Sequence, residues 1–188
     1  DGAPIAAPPP HVSVEAAWAA AAKVLEELDE CARRQKVPRS DGHWSRDSSI
    51  YTGLGGVAVA YLRVGLFCRH ALKDGAKARG YLERARDVAG SCLSADGNSQ
   101  MVSFLVGTPG YLAVACVACS LLGEKNAAAV HLQNLLGWAE VALRHPEDEF
   151  LLGRAGYLYA LLWVRSHCGA RAADFDAPLR RVAERLVE

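Results

Sequence analysis

The sequence predicts an all-α protein built as an α/α barrel, or as an arc of one. Fully apolar helical segments alternate with half-polar ones along the chain, and a short glycine motif recurs three times, each time directly before an apolar segment. No segment shows the alternation of apolar and polar residues that is typical of a half-buried strand. The predicted order is outer, inner, outer, inner, outer, inner, outer, or about three and a half helical hairpins. A linear solenoid of helix pairs is the alternative.

The recurring motif reads apolar-x-Gly-x-x-Gly-apolar. It occurs in "IYTGLGGVAVAYL", "FLVGTPGYLAV" and "FLLGRAGYLYALLWV", with the glycine pairs Gly53 and Gly56, Gly107 and Gly110, and Gly153 and Gly156. The copies lie 54 and 46 residues apart, close to the period of a repeat architecture. Glycine permits close approach of another backbone or of a ligand. Each pair therefore either packs a loop against a helix or helps to form a binding site.

The first half of the domain begins with an outer helix predicted over His11–Arg34, with Ser13 as its N-cap. A polar loop over residues 36–49 leads into the first glycine motif and the inner helix Val57–Phe67. The segment Ala76–Leu93 carries apolar residues on one side and charged residues on the other, which is typical of a surface helix.

The second half continues with the inner helix Tyr111–Leu122, which is apolar on nearly all sides. An amphipathic outer helix is predicted over Asn126–Leu143 and an inner helix over Tyr157–His167. Asp176 is the predicted N-cap of the last helix, with Pro178 in its first turn.

Length and composition favour a single helical domain. The 188 residues divide into a flexible, proline-rich segment over residues 1–10 and a domain over 11–188. The 21 basic and 21 acidic residues balance, so there is no general attraction to nucleic acid or to anionic membranes. The longest apolar run, Tyr111–Gly123, is too short to span a membrane. Six cysteines lie mostly in apolar helical patterns, which favours buried free thiols in a cytoplasmic protein.

The glycine loops are the best candidates for a ligand site. If the inner helices run parallel, their N-termini gather at one end, where unpaired N–H groups and helix dipoles favour an anion. Arg154 lies between the third pair of glycines and adds a guanidinium that can form a bidentate hydrogen bond with a carboxylate. The alternative is that the glycines serve packing and that Arg154 holds loop carbonyls or Glu149 in place. The pair Cys116 and Cys119 is expected to pack in the core.

The three motifs, above all "FLLGRAGYLYALLWV", resemble the lanthionine synthetase C-like (LanC-like) family, and its eukaryotic branch most closely. The resemblance extends from about His11 to the end of the chain. It implies a double-layered α/α toroid of seven helical hairpins. It also implies an enzyme that adds a thiol, from a peptide cysteine or from glutathione, to a dehydrated serine or threonine of a peptide.

The family's zinc site, a cysteine in one late repeat and a Cys-His pair in the next, has no counterpart here, because the sequence contains no Cys-His dipeptide. The chain is therefore expected to be the N-terminal half of the toroid, without a metal and inactive alone, with zinc in the full-length parent. The match also suggests that Glu149, in the loop before Gly153, transfers a proton or orients the substrate. A solvated acidic loop is the simpler explanation.

Two further functions stay open from the sequence. A scaffold without catalysis would hold glutathione, a modified peptide or a protein partner, since inner helices left uncovered expose apolar surface. A sugar-cleaving α/α barrel would need two carboxylates beside a cleft lined with aromatic residues, and few aromatic residues lie on the predicted inner helices. Nucleic acid is not an expected partner. A cytoplasmic location is expected, with peripheral attachment to the plasma membrane as an open alternative.

Overall fold

The computed structural model describes residues 13–34, 37–38, 44–45, 47–95, 101–168 and 172–187. The predictions for residues 1–10 and for a helix start at His11 lie outside these residues. The helices are α1 (Val14–Arg34), α2 (Leu54–His70), α3 (Gly75–Ala95), α4 (Thr108–Leu122), α5 (Lys125–Gly137), α6 (Ala139–Arg144), α7 (Arg154–Cys168) and α8 (Ala172–Val187). A two-residue antiparallel pair, β1 (Val37–Pro38) and β2 (Trp44–Ser45), lies between α1 and α2. The predicted all-α class is confirmed.

The helices form two layers. Helix α4 contacts α2 on one side and α7 on the other, so these three make the inner layer. Helix α3 packs on both α2 and α4, while α1, α5 and α8 pack on α2, α4 and α7 respectively. Each inner helix is thus covered by outer helices that precede and follow it in the chain, and α8 also contacts α6. This arrangement is the predicted arc of about three and a half hairpins of an α/α toroid.

The core is centred on α4. Every residue of α4 from Pro109 to Cys119 is buried, because the helix is apolar on all sides and has neighbours on all sides. It ends at Gly123, whose φ of 83° places it in the left-handed region, and the Gly123 N–H bonds back to the carbonyls of Cys119 and Ser120. Such a C-cap favours glycine. The predicted N-cap of the first helix is confirmed, since the Ser13 hydroxyl accepts the Ala16 N–H at 3.1 Å.

The outer helix predicted over Asn126–Leu143 is two helices, and this prediction is wrong in that respect. Helix α5 ends at Gly137, Trp138 forms a turn, and α6 begins at Ala139. The carbonyl of Leu135 accepts the Trp138 N–H at 3.1 Å and the hydroxyl of Tyr157 at 2.9 Å. A hydroxyl from an inner helix thus donates to a backbone carbonyl at the break. The sequence of the outer segment alone does not predict this contact.

The predicted start of the last helix is also wrong. Helix α8 begins at Ala172, so Asp176 lies within the helix and Pro178 in its interior. Phe175 is completely buried, and with Leu179 and Val182 it forms the face that packs into the core. Because Phe175 is buried, the helix begins before Asp176, the N-cap that the sequence favours. Tertiary packing outweighs the local capping preference here.

Candidate functional site

Three loops of the same geometry lead into the inner helices. We name them loop 1 (residues 47–53), loop 2 (101–107) and loop 3 (147–153), and each ends at the first glycine of a motif. Gly53 and Gly107 are the N-caps of α2 and α4, with extended backbone at φ values of −120° and −114°. The glycine motifs therefore open the inner helices, as the sequence predicts.

The loops bond to one another side by side. The N–H groups of Ile50 and Tyr51 in loop 1 donate to the carbonyl of Leu105 in loop 2, at 2.8 and 3.1 Å. The N–H of Phe104 in loop 2 donates to the carbonyl of Gly156 at the start of α7, at 3.2 Å. The three loops and the helix N-termini behind them thus lie at one end of the arc. We call this surface the loop end.

The glycines are explained by close packing within each repeat. A Cβ atom on the first glycine of each pair would lie closer than 3.0 Å to the carbonyl oxygen six residues earlier, at Asp47, Met101 or Glu147. A Cβ atom on the second glycine would meet a carbonyl in the same way, at Ile50, Phe104 or Phe150. Since real Cβ atoms essentially never come so close, only glycine lets each loop fold back on its helix.

The first N–H groups of two inner helices already have partners. At α2, the N–H of Leu54 donates to the Asp47 carbonyl at 2.9 Å; at α7, the N–H of Arg154 donates to the Glu147 carbonyl at 3.0 Å. The next N–H in each helix also donates to a carbonyl of its own loop, at 3.1 and 3.2 Å. These groups are occupied by the protein, which favours the packing alternative. Ligand binding by Gly53, Gly56, Gly107, Gly110, Gly153 and Gly156 stays a prediction.

Arg154 is buried, with 5% of its surface exposed. Its Nε donates to the carboxylate of Asp148, and one terminal nitrogen donates to the carbonyls of His145 at 2.7 Å and Leu143 at 3.4 Å. The hydrogen bond from Arg154 lowers the pKa of Asp148, and the same bond raises the pKa of Arg154. Arg154 thus ties the end of α6 and loop 3 to the start of α7. Its binding of an anionic ligand stays a prediction.

Glu149 is exposed, and its carboxylate turns back onto its own loop. One oxygen accepts the Leu151 N–H at 2.7 Å and the other accepts the Leu152 N–H. The equivalent positions in loops 1 and 2 are Ser49 and Ser103, whose hydroxyls accept the N–H three residues ahead at 3.1 and 3.2 Å. Glu149 therefore occupies a loop-capping position that serine fills elsewhere. Its catalytic role stays a prediction.

Asp47 holds loop 1 in a comparable way. Its carboxylate accepts the Thr52 hydroxyl at 2.6 Å and the Ser49 N–H at 2.9 Å. Burial raises the pKa of Asp47, but the hydrogen bonds from Thr52 and Ser49 outweigh that effect, so that its net pKa is lowered. Asp47 is thus an ionised, hydrogen-bonded carboxylate on the loop end.

The loop end is acidic. Among the described residues, loops 1 and 3 carry four carboxylates, from Asp47, Glu147, Asp148 and Glu149, whereas Arg154 beside them is buried and paired and the charge of Arg185 also acts on Asp148. This surface suits the ammonium group of a peptide better than its carboxylates. The sequence analysis recognised the acidic loop around Glu149 but did not consider its effect on an anion site.

An aromatic cluster continues from the loop end along α7. The ring of Tyr159 lies 5.2 Å from that of Phe150 and 5.1 Å from that of Phe104, and Trp163 lies 5.3 Å from Phe104 and 4.7 Å from the ring of His167. Phe150 and Tyr159 remain 44% and 39% exposed. Two half-exposed rings beside carboxylates form a surface that an extended peptide can contact.

The sequence analysis did not single out the phenylalanines of this cluster as site residues. A signal for them was present, because Phe104 and Phe150 both stand three residues before the first glycine of their motif. The position is therefore part of the repeat, and in both copies its ring contacts Tyr159 on α7.

Metal-ligating groups do not cluster in the part of the chain that the structure describes, where no three His, Cys, Asp or Glu side chains lie close enough together to hold an ion. These residues therefore do not fit the zinc ion that the resemblance implies. Cys68, Cys92, Cys116, Cys119 and Cys168 are free thiols, as predicted. None of the described helices has the length and apolar character needed to cross a membrane.

The two-layer arc, with glycine loops opening its inner helices at one end, defines an α/α toroid protein. A family model described as lanthionine synthetase C-like protein matches residues 45–188. The chain is also 32% identical over 146 residues to the Danio rerio protein named glutathione S-transferase LANCL1, covering 76% of this chain and 34% of that protein. The chain belongs to the lanthionine synthetase C-like family. It spans about a third of the length of this curated relative.

Proposed function

We propose that this chain is the N-terminal part of a LanC-like ring that adds the thiol of glutathione, or of a peptide cysteine, to a dehydrated serine or threonine in a peptide. Family membership and the name of the Danio rerio relative support this reaction class. The observation that carries the proposal is the loop end itself. Three repeats bring their loops into hydrogen-bonded contact there, beside half-exposed aromatic rings and carboxylates.

The residues of the loop end have distinct roles in this proposal. The rings of Phe150 and Tyr159 hold apolar parts of the peptide, and the carboxylates of loops 1 and 3 attract an ammonium group, such as that of glutathione. In the addition, the thiolate sulfur bonds to the β-carbon of the dehydrated residue, the carbon–carbon double bond becomes a single bond, and the α-carbon takes a proton. Glu149, on the exposed side of loop 3, delivers that proton or orients the peptide.

Zinc has no part in the steps assigned to these residues. We propose that the ion belongs to the remainder of the longer protein, and that this chain binds ligands but does not catalyse the addition alone. We also propose that the longer protein acts in the cytoplasm. A competing function, a scaffold that holds glutathione or a protein partner without catalysis, is favoured by the internal partners of Arg154 and Glu149.

Calorimetric titration of the longer protein with glutathione and with a peptide containing dehydroalanine tests the site. Tyr159→Ala should weaken binding of the peptide by about 10-fold, or ~1.4 kcal/mol, through loss of an aromatic contact. Val130→Ala is the control, because Val130 is an exposed apolar residue on the outer helix α5. Equal affinities for the two variants would contradict a site on the loop end.

Mass spectrometry of the same mixtures separates the enzyme from the scaffold. The enzyme joins glutathione to the peptide through a thioether, which raises the peptide mass by that of glutathione. The scaffold binds one or both ligands and leaves both masses unchanged.

A further inference from the structure

A pair of thiols lies away from the loop end, in a cleft between α4, α5 and the end of α7. Cys116 in α4 and Cys168 at the end of α7 both line this cleft, which has a volume of about 310 Å³. Cys116 is buried, whereas Cys168 is partly exposed. We propose that Cys116 and Cys168 form a redox-active dithiol, which a small anionic disulfide of the glutathione type oxidises to an intramolecular disulfide.

The two thiols are placed for unequal roles. The Cys116 thiol donates to the Ala128 carbonyl at 3.4 Å, and Cys168 lies on the wall of the same cleft together with Ser120. The neighbouring Cys116 lowers the pKa of Cys168, outweighing the opposite effect of burial. The neighbouring Cys168, with burial, raises the pKa of Cys116. Because Cys168 is the partly exposed thiol and Cys116 the buried one, Cys168 is the attacking thiolate and Cys116 the resolving thiol.

The other described thiols lack this arrangement. Cys119 lies one turn along α4 from Cys116, but burial raises its pKa to about 11. Cys68 and Cys92 are almost completely buried, at 0% and 1% exposed. A reagent from solution should therefore distinguish Cys168 from these three residues.

The cleft admits a disulfide of the stated class. Its volume lies in the range of small-molecule sites, about 300–1,000 Å³, and the cation of Lys125 lies on its wall. Glutathione disulfide carries an excess of carboxylates over ammonium groups, so that Lys125 favours its entry.

The reaction balances as a thiol–disulfide exchange. The Cys168 thiolate attacks one sulfur of glutathione disulfide, whose sulfur–sulfur bond breaks, and a glutathione thiolate leaves and takes up a proton. The Cys116 thiol then loses its proton and attacks the sulfur of Cys168, which expels the second glutathione. Two protein thiols are oxidised to a disulfide, and one glutathione disulfide is reduced to two thiols.

Intact mass and non-reducing peptide mapping of the protein in excess glutathione disulfide test the proposal. The wild type should lose two hydrogens and yield a peptide pair joined through Cys116 and Cys168. Cys116→Ser should instead gain one glutathionyl group at Cys168, because the resolving thiol is missing. Cys168→Ser should leave Cys116 unmodified, and Cys119→Ser, the control on the same helix, should behave as the wild type.

Two results would overturn the proposal: a wild type in which Cys168 stays reduced, and a Cys116→Ser variant that carries glutathione elsewhere but not on Cys168. Timed alkylation of the reduced wild type gives an independent measure that does not depend on the folding of a variant. Cys168 should be alkylated at least 10-fold faster than Cys68, Cys92 or Cys119. Equal rates would refute the assigned role of Cys168.

Discussion

Replacement of Gly110 by alanine is the sharpest perturbation of the glycine loops. A Cβ atom at this position would overlap the carbonyl oxygen of Phe104 and lie 2.8 Å from the Phe104 carbonyl carbon and from Cδ1 of Ile50. The Ile50 methyl group is the end of a side chain and can move. The Phe104 carbonyl is backbone, and its loop is bonded to the neighbours on both sides, so the loop as a whole must shift.

The expected loss of stability follows from these contacts. Overpacking of a buried site costs about 1–3 kcal/mol, and weakening of the hydrogen bonds between the loops adds about 0.5–1.5 kcal/mol for each bond lost. We expect Gly110→Ala to lower the free energy of unfolding by about 3 kcal/mol. For a chain of this length that corresponds to a fall in Tm of roughly 6–12 °C.

Gly90→Ala is the matched control. Gly90 lies inside α3, and a Cβ atom there would meet nothing within 4 Å. Alanine should raise stability at this position by about 0.5–1 kcal/mol, because it favours helix over the unfolded chain. Urea denaturation followed by circular dichroism measures both variants. If Gly110→Ala were as stable as Gly90→Ala, the packing explanation of the motif would be refuted.

Three further outcomes are expected. Tyr157→Phe removes the hydroxyl that donates to Leu135 and should cost about 1 kcal/mol in urea denaturation; an unchanged midpoint would contradict that role. Glu149→Ser places in loop 3 the residue type found in loops 1 and 2, so Tm should hold while thioether formation by the longer protein falls; undiminished formation would leave Glu149 as a loop cap only. The pKa of Asp47 is lowered in the folded protein, so its ionised carboxylate stabilises the fold at pH values above the pKa that it has in the unfolded chain. This contribution is lost as the pH falls through the folded pKa. Asp47→Asn should therefore weaken the dependence of the free energy of unfolding on pH below about pH 4.

The fold was largely predictable because its evidence is repeated and local. The glycine pairs, the apolar character of α4 and the capping residue Ser13 each carry a physical preference that the structure satisfies. The break at Trp138 and the early start of α8 at Ala172 depend on contacts with other helices. Tyr157 and the buried face around Phe175 supply those contacts, and a single segment of sequence does not contain them.

The candidate site was predictable in position but not in detail. The repeat placed three helix N-termini together, which the hydrogen bonds between the loops confirm. It did not show that loop carbonyls occupy the first N–H groups of α2 and α7, nor that Asp148 pairs with Arg154. Glycine motifs that favour anion binding also favour tight loops, and only the three-dimensional contacts distinguish the two uses.

Photocrosslinking tests most directly whether the loop end is the ligand site. A glutathione conjugate or a dehydroalanine peptide carrying a photoreactive group would be irradiated with the longer protein, and the labelled residues identified by mass spectrometry. We predict labels in loop 3 and the first turns of α7, around Phe150 and Tyr159, that excess unlabelled ligand suppresses. Suppressible labels confined to the outer helices α3 and α5, with none on loop 3 or α7, would contradict the account.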